Sequence, residues 1–138
     1  MNKKTQKVKI TLNPFGYYSM EGNCYGEICT LSDLFEDVGD WIGDWLEDPK
    51  AYWSKKSDPN DIIKEDLIST GGNMVFVKRE NGIVRIENIY DDESEFIFWI
   101  EEDKLKKLLK KWKELTSKKV KKIILSWDRF EVKLEEEK

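Results

Sequence analysis

Two extended segments joined by Asn81-Gly82 constrain the fold of this chain more than any other feature. The stretch NMVFVKRENGIVRIENIY alternates apolar and polar residues on both sides of that dipeptide. Asn-Gly favours the positive φ angles of a two-residue turn between antiparallel strands. Counting outward from the turn places Val77 opposite Ile86. The apolar residues that then share one face are Val75, Val77, Val84 and Ile86. The sequence therefore predicts a hairpin with a defined register.

Other segments have the same two-residue period. KVKITL predicts a first strand, and EFIFWI predicts a third strand after the central hairpin. Near the carboxyl end, the apolar positions change phase at Asp128, which predicts a hairpin there. Two short strands are expected around residues 21–23, with an irregular loop as the alternative.

The segment LSDLFEDVGDWIGDWLED, residues 31–48, has the periodicity of an amphipathic helix. At 100° per residue its apolar side chains fall within one arc of about 140°. The opposite arc carries seven carboxylates, which are Asp33, Glu36, Asp37, Asp40, Asp44, Glu47 and Asp48. Thr30 and Asp33 have the spacing of a capping box, and Pro49 is expected to end the helix. We predict one helix over 31–48 with an exposed acidic face.

Two further helices are expected. A short one begins at Ser57 or Asp58, after a loop over about 49–57. A longer one covers about 102–117, with leucines and a tryptophan on one face and lysines on the other. We therefore predict a single domain over residues 1–138, of α+β class. It has an antiparallel β-sheet of about five to seven strands, packed against two main helices at about 31–48 and 102–117.

The net charge of −4 conceals a segregation of charge along the chain. Residues 10–49 contain nine acidic residues and no lysine or arginine, so the remaining residues carry +5, the difference between −4 and −9. Residues 104–122 contain ten lysines and one glutamate. We interpret the lysine face as a solvated surface, because it lacks the arginines and exposed aromatic residues of a nucleic-acid interface. No direct nucleic-acid binding is expected.

Composition excludes several kinds of site. The chain has no histidine, which removes the usual general base near pH 7 and most transition-metal sites. No phosphate-binding glycine motif is present, and we expect no metal, no cofactor and no enzymatic activity. Cys24 and Cys29 are expected to be free thiols, with a disulfide across four residues as the alternative. No segment resembles a signal peptide or a membrane span, so a cytoplasmic location is expected, without membrane binding.

The acidic face is the clearest departure from a sequence chosen only for stability. Like charges four residues apart oppose each other by about 0.2–0.5 kcal/mol per pair, and no lysine relieves them. Gly39 and Gly43 each cost about 0.8–1 kcal/mol relative to alanine in a helix interior. Such a face suits complementary docking to a basic protein surface, for example that of a nuclease. Trp41, at the edge of the apolar arc, is either a partly wet core residue or an anchor within an acidic rim.

The tail FWIEEDKLKKLLKKWKELTSKKVKKIILSWDRFEVKL combines an aromatic strand, an amphipathic helix and a closing pair of strands. It resembles the carboxy-terminal part of small bacterial immunity proteins of contact-dependent-inhibition and polymorphic-toxin systems. The resemblance covers about a third of the chain. It implies a cytoplasmic, non-enzymatic protein that binds and neutralises a toxin domain, often a nuclease. It assigns no site residue.

The leading hypothesis is an immunity or antitoxin-type protein that binds a cognate toxin with a basic surface. The predicted partner-binding residues are Asp33, Glu36, Asp37, Asp40, Trp41, Asp44, Glu47, Asp48, Asp91, Asp92 and Glu93. One alternative is a small enzyme with a carboxylate-based site, which would need a pocket with a carboxylate of raised pKa. The other is an adaptor module that self-associates through its acidic and lysine faces. A monomer is expected.

Overall fold

The structure of the chain, a computed structural model, describes residues 6–21, 27–56, 69–89, 97–128 and 130–137, without the side chains of 53–56. The helices and strands within these ranges are, in order, β1 (Gln6–Leu12), β2 (Tyr18–Met20), α1 (Glu27–Val38), α2 (Ile42–Glu47), α3 (Pro49–Lys56), β3 (Ser69–Gly71), β4 (Val75–Glu80), β5 (Ile83–Asn88), β6 (Phe98–Glu101), α4 (Glu102–Ser117), β7 (Lys122–Trp127) and β8 (Val132–Glu136).

The predicted α+β fold with antiparallel pairing is confirmed. The strands form two four-stranded antiparallel sheets, with orders β2-β1-β7-β8 and β3-β4-β5-β6. Helices α1 to α3 connect one sheet to the other, and α4 leads back to the first. The sequence predicted one sheet, because alternation identifies strands but does not determine which of them pair.

The central hairpin has the predicted register. Asn81 and Gly82 both have positive φ angles, 51° and 81°, as a primed turn requires. Val77 lies opposite Ile86, and Val84 lies opposite Arg79. The shared apolar face is fully buried. The last hairpin, β7–β8, turns at Asp128, whose Oδ1 accepts the N–H groups of Phe130 and Glu131 at 2.9 and 2.7 Å. These hydrogen bonds hold the pKa of the Asp128 carboxyl below its usual value.

One continuous core lies between the sheets and the helices. Trp45 and Phe35 are its bulkiest fully buried side chains. All five predicted apolar residues of α4 are buried, and they are Leu105, Leu108, Leu109, Trp112 and Leu115. Arg79 connects three elements, because it donates to the Leu46 carbonyl at 3.0 Å, pairs with Glu102 at 2.9 Å and lies over the Trp45 ring.

The single helix predicted over 31–48 is divided in the structure, since α1 ends at Val38 and α2 begins at Ile42. A Cβ atom on Gly39 would lie 2.4 Å from the Phe35 carbonyl oxygen and 2.7 Å from Trp112 Nε1. The chain therefore turns where only glycine fits against α4. The predicted capping box is also wrong, because α1 begins at Glu27 and Thr30 is buried within the helix.

The loop predicted over 49–57 is largely helix α3. Pro49 is its first residue, a position that tolerates proline because the missing N–H needs no partner there. The Asp48 carboxylate accepts the Ala51 N–H at 3.0 Å and caps the new helix. Pro49 therefore begins a helix as well as following one.

The prediction of a free thiol is wrong for Cys29, and Cys24 lies outside the described residues. Cys29 is disulfide-bonded, and no free cysteine is found among the described residues. The sequence left both states open, because spacing alone does not decide between them.

Some predictions fall on residues outside the described ranges. These are the helix from Ser57 or Asp58, most of the turn at residues 21–23, and the acidic stretch at 91–93. Within the described part of the chain, no helix has the length and apolar character to cross a membrane.

Candidate functional site

The seven carboxylates of residues 31–48 form two groups separated by Gly39. The three on α1 face other parts of this chain, and the four that follow are exposed. The prediction of one exposed acidic face is therefore wrong for Asp33, Glu36 and Asp37. The polar face of α1 is not fully exposed to solvent, because β2 and the segment between β3 and β4 cover it.

Asp33 is 6% exposed and lies against β5. Its Oδ2 accepts the side-chain N–H of Asn88 at 2.8 Å. Burial raises the pKa of Asp33, the Asn88 hydrogen bond opposes that shift, and the Asp37 charge adds to it. The side chain fastens α1 to β5 and is not available to a partner.

Glu36 is half-buried and binds the backbone of β2. Its Oε1 accepts the Met20 N–H at 2.5 Å. Burial raises the pKa of Glu36 to about 7, the Met20 hydrogen bond opposes the shift, and the Asp33 charge adds to it. Glu36 lines none of the three cavities described below.

Asp37 anchors the turn that leads into β4. Its two carboxylate oxygens accept three consecutive N–H groups, those of Asn73, Met74 and Val75, at 3.0, 2.7 and 3.1 Å. Gly72 lies so close that a Cβ there would be 2.4 Å from Asp37 Oδ2. The carboxylate thus satisfies backbone donors that the turn would otherwise leave without partners.

The remaining carboxylates lie in and beside α2, and we call Asp40, Asp44, Glu47 and Asp48 the acidic patch. All four are exposed. Among the described residues, the patch makes one ion pair, Glu47 with Lys106 at 4.0 Å. Asp44 also lies near Tyr52, whose pKa is raised first by burial and then by the Asp44 charge. The patch is therefore a compact, solvated concentration of negative charge.

A groove separates the acidic patch from α4. It has a volume of about 190 Å³ and is lined by Gly39, Asp40, Gly43, Asp44, Glu47, Lys106, Leu109, Lys110 and Lys113. Lys106 is also held by Glu102 at 3.3 Å. Lys110 and Lys113 form no ion pair within the described ranges. The lysines reduce the negative field on the groove side, and the outer side of the patch keeps it.

Trp41 is half-buried beside the acidic patch. Its ring stacks on Tyr52, with centroids 5.4 Å apart and an interplanar angle of 14°. It is therefore partly engaged within the molecule. The predicted second contact, Asp91, Asp92 and Glu93, lies outside the described residues.

A second concave surface was missed by the sequence reasoning. The aromatic cleft, as we call it, has a volume of about 520 Å³ and lies between β6 and α4 on one side and the β7–β8 hairpin on the other. Trp99 and Phe130 at this cleft are 60% and 84% exposed. Alternation in EFIFWI could have revealed Trp99, because it faces opposite to the buried Phe98 and Ile100.

A third cavity, of about 340 Å³, lies on the outer face of β7 and β8 and has a mostly charged lining. No group of three metal-binding side chains occurs in the described ranges. Comparison of the chain with protein-family models, with curated proteins and with solved structures found no match in any of the three.

Proposed function

We propose that this chain is an inhibitory binding protein that neutralises a toxin domain by docking the acidic patch on that domain's basic surface. The observation that carries the proposal is the exposure of four neighbouring carboxylates. Among the described residues, only Glu47 of the four has an ion-pair partner, Lys106 at 4.0 Å. A single-sign patch of this kind accelerates encounter with an oppositely charged partner and rejects partners of like charge. The resemblance of the tail to immunity proteins suggests the class of partner.

The proposed interface is smaller than the eleven residues named from the sequence. Asp33, Glu36 and Asp37 have partners within the chain, so the proposed interface consists of the acidic patch with Trp41 at its edge. Trp41 offers an aromatic surface that is already held in place by Tyr52, which lowers the entropy lost on binding.

The alternatives have less support. Glu36 has the raised pKa that an acid–base catalyst needs, but its oxygen is bound to the Met20 N–H and it lines no described cavity. Self-association through acidic and lysine faces is disfavoured because the two surfaces already face each other across the groove within one molecule. We propose a monomer without a cofactor.

A cytoplasmic location follows from the resemblance to immunity proteins and is the one part of the proposal that an observation opposes. The Cys29 disulfide argues for an oxidising compartment, because reducing cytosol keeps thiols reduced. Alkylation of thiols during lysis of the native cell, followed by mass measurement, separates the two. If both cysteines are alkylated, the cytoplasmic location is supported. If neither cysteine is alkylated, the cytoplasmic location is contradicted.

Affinity capture from the native cell tests the function. The bait is the full chain, compared with an acidic-patch variant (Asp40→Lys, Asp44→Lys, Glu47→Lys) and a control of equal charge (Glu80→Lys, Glu135→Lys, Glu136→Lys). We expect the original chain and the control to capture a basic protein that the patch variant loses. Co-expression of that protein should arrest growth unless the original chain or the control is present. Equal capture and protection by the patch variant would exclude the acidic patch as the interface.

A further inference from the structure

The aromatic cleft has an apolar floor and an exposed rim. Phe98 and Trp127 meet edge to face in the floor, with ring centroids 5.0 Å apart. Leu108 of α4 and Val132 of β8 also line it. Trp99 and Phe130 present large apolar surfaces to solvent beside this floor. Contiguous exposed aromatic surface around a concavity is typical of a binding site.

One wall of the cleft is an open sheet edge. β6 is the outermost strand of its sheet within the described ranges. The Glu102 N–H donates to the Gly82 carbonyl at 2.8 Å, so these opposite residues form a hydrogen-bonded pair. Along antiparallel strands, hydrogen-bonded and non-hydrogen-bonded pairs alternate. The paired positions are therefore Phe98 and Ile100, and the backbone N–H and C=O groups of Ile97 and Trp99 point away from β5. No described residue bonds to them.

Charged side chains flank the cleft on its two sides. Lys107 projects from α4, and Glu131 belongs to the β7–β8 hairpin. Neither forms an ion pair in the described part of the chain, whereas Lys104 is held by Glu101 at 3.6 Å. An occupant therefore gains most if it carries a carboxylate towards Lys107 and a cation towards Glu131.

We propose that the aromatic cleft binds an extended segment of a partner protein that adds to β6 as a fifth strand of that sheet. Backbone groups of the segment pair with Ile97 and Trp99. Alternate apolar side chains enter the floor formed by Phe98 and Trp127, and an acidic residue of the segment meets Lys107. Strand addition of this type draws affinity from main-chain hydrogen bonds and specificity from alternate side chains. An apolar amphiphile would use the floor but not the free backbone groups.

The cleft is independent of the acidic patch. Lys104 and Lys107 line the cleft, and a separate set of α4 lysines, Lys106, Lys110 and Lys113, borders the groove. Variants of one surface can therefore be tested without altering the other. Loss of toxin binding in the acidic-patch variant leaves this proposal unaffected, and the reverse also holds.

Selection of phage-displayed random peptides on the full chain tests the cleft. We expect enriched peptides to alternate apolar and polar residues, with an acidic residue beside the apolar ones. Lys107→Glu should weaken their binding by about tenfold, and the control Lys121→Glu should not. Trp99→Ala should weaken it more than Phe76→Ala, which removes an exposed aromatic residue outside the cleft. Enriched peptides that bind the Lys107 and Trp99 variants unchanged would overturn the proposal, as would failure to enrich any.

Backbone N-methylation of a selected peptide tests strand addition without changing the protein. A strand pairs with its neighbour through every second residue. Methylation of the peptide amides that face β6 should therefore abolish binding, and methylation of the intervening amides should leave binding intact. The Trp99 amide should exchange its hydrogen more slowly in the complex. Equal effects of the two phases would overturn strand addition and favour an apolar site alone. A dimer of the free chain that Trp99→Ala dissociates would show that a second copy occupies the cleft, and would also overturn the proposal.

Discussion

Asp33, Glu36 and Asp37 of α1 and the carboxylates of the acidic patch come from one periodic stretch of sequence and have opposite environments. Asp33, Glu36 and Asp37 accept hydrogen bonds from β5, β2 and the turn before β4. Three of the four residues of the acidic patch have no ion-pair partner in the described ranges. The first group is bound by other elements of the fold, and the second is exposed to solvent, with Asp48 also capping α3. Acidic residues at helical spacing within eighteen residues of sequence therefore include both carboxylates bound within the fold and exposed carboxylates.

The largest expected difference between the two groups is at Asp37. Asp37→Ala removes the acceptor of three backbone N–H groups, two of them partly buried, and should lower the free energy of unfolding by about 2–4 kcal/mol, since hydrogen bonds to charged groups are strong and donors left without partners are costly. Urea denaturation measures this. Asp37→Asn, which keeps one oxygen, should lose less. Asp44→Ala is the matched change in the acidic patch and should stay within about 0.5 kcal/mol. Equal losses at both positions would remove the distinction.

Gly39 marks the boundary between the two groups. Gly39→Ala should destabilise the protein by about 1–3 kcal/mol, because the new methyl group overlaps the Phe35 carbonyl and the Trp112 ring. Gly43→Ala is the control, because its methyl group would lie 3.7 Å from Leu109, an ordinary contact, within α2. It should stabilise by about 0.5–1 kcal/mol through higher helix propensity. Thermal unfolding of both variants measures the contrast. A stable Gly39→Ala protein would mean that 31–48 can form one helix.

Glu36 should give the protein a pH dependence that the acidic patch does not. Its pKa is raised in the folded state to about 7, so the folded protein holds a proton that the unfolded chain has already released. Stability should therefore fall as pH rises from about 4.5 to about 7, by on the order of 1–2 kcal/mol after allowance for the partial solvent exposure of Glu36. Asp33, whose pKa is also raised, adds in the same direction.

Glu36→Gln provides the measurement. The glutamine oxygen can still accept the Met20 N–H, and the side chain no longer titrates. We expect the variant to be more stable than the original chain at pH 8 and to lose most of the decline between pH 4.5 and pH 7 in urea denaturation. An unchanged decline would assign the pH dependence to other groups.

The smallest expected effect on stability is within the acidic patch itself. Asp44→Asn relieves repulsion with Asp48, four residues on, and should stabilise the protein by about 0.2–0.5 kcal/mol at low salt. The gain should disappear at high salt, because exposed charges are screened. A loss of stability would show that Asp44 has a structural partner, as Asp37 does.

The hairpins could be predicted because their turns depend on local sequence. The candidate site could not be predicted in full, because it depends on contacts between residues distant in sequence. Asn81-Gly82 defines its own turn and thereby the register of β4 and β5. The break at Gly39 depends on Trp112, which lies 73 positions away in the sequence, so no periodicity in residues 31–48 reveals it. The helical arc separated polar from apolar residues correctly, but it could not show that other elements cover part of the polar arc.

The two concave surfaces were hidden for the same reason. The aromatic cleft combines side chains of β6, α4 and the β7–β8 hairpin, and only Trp99 among them has a local signal. Of the lysines that face the acidic patch, Lys110 and Lys113 are exposed as expected, and Lys106 is partly buried and ion-paired. Their position across a groove from Asp40 and Asp44 depends on the packing of α2 against α4.

The association rate between this chain and its captured partner, measured across ionic strength, tests the acidic patch most directly. For the original chain and the control variant (Glu80→Lys, Glu135→Lys, Glu136→Lys), we expect a rate that falls steeply as salt rises. For the patch variant (Asp40→Lys, Asp44→Lys, Glu47→Lys), we expect a rate on the order of ten- to a hundredfold lower at low salt, with little dependence on salt. Equal rates and equal salt dependence for the two variants would contradict docking through the acidic patch.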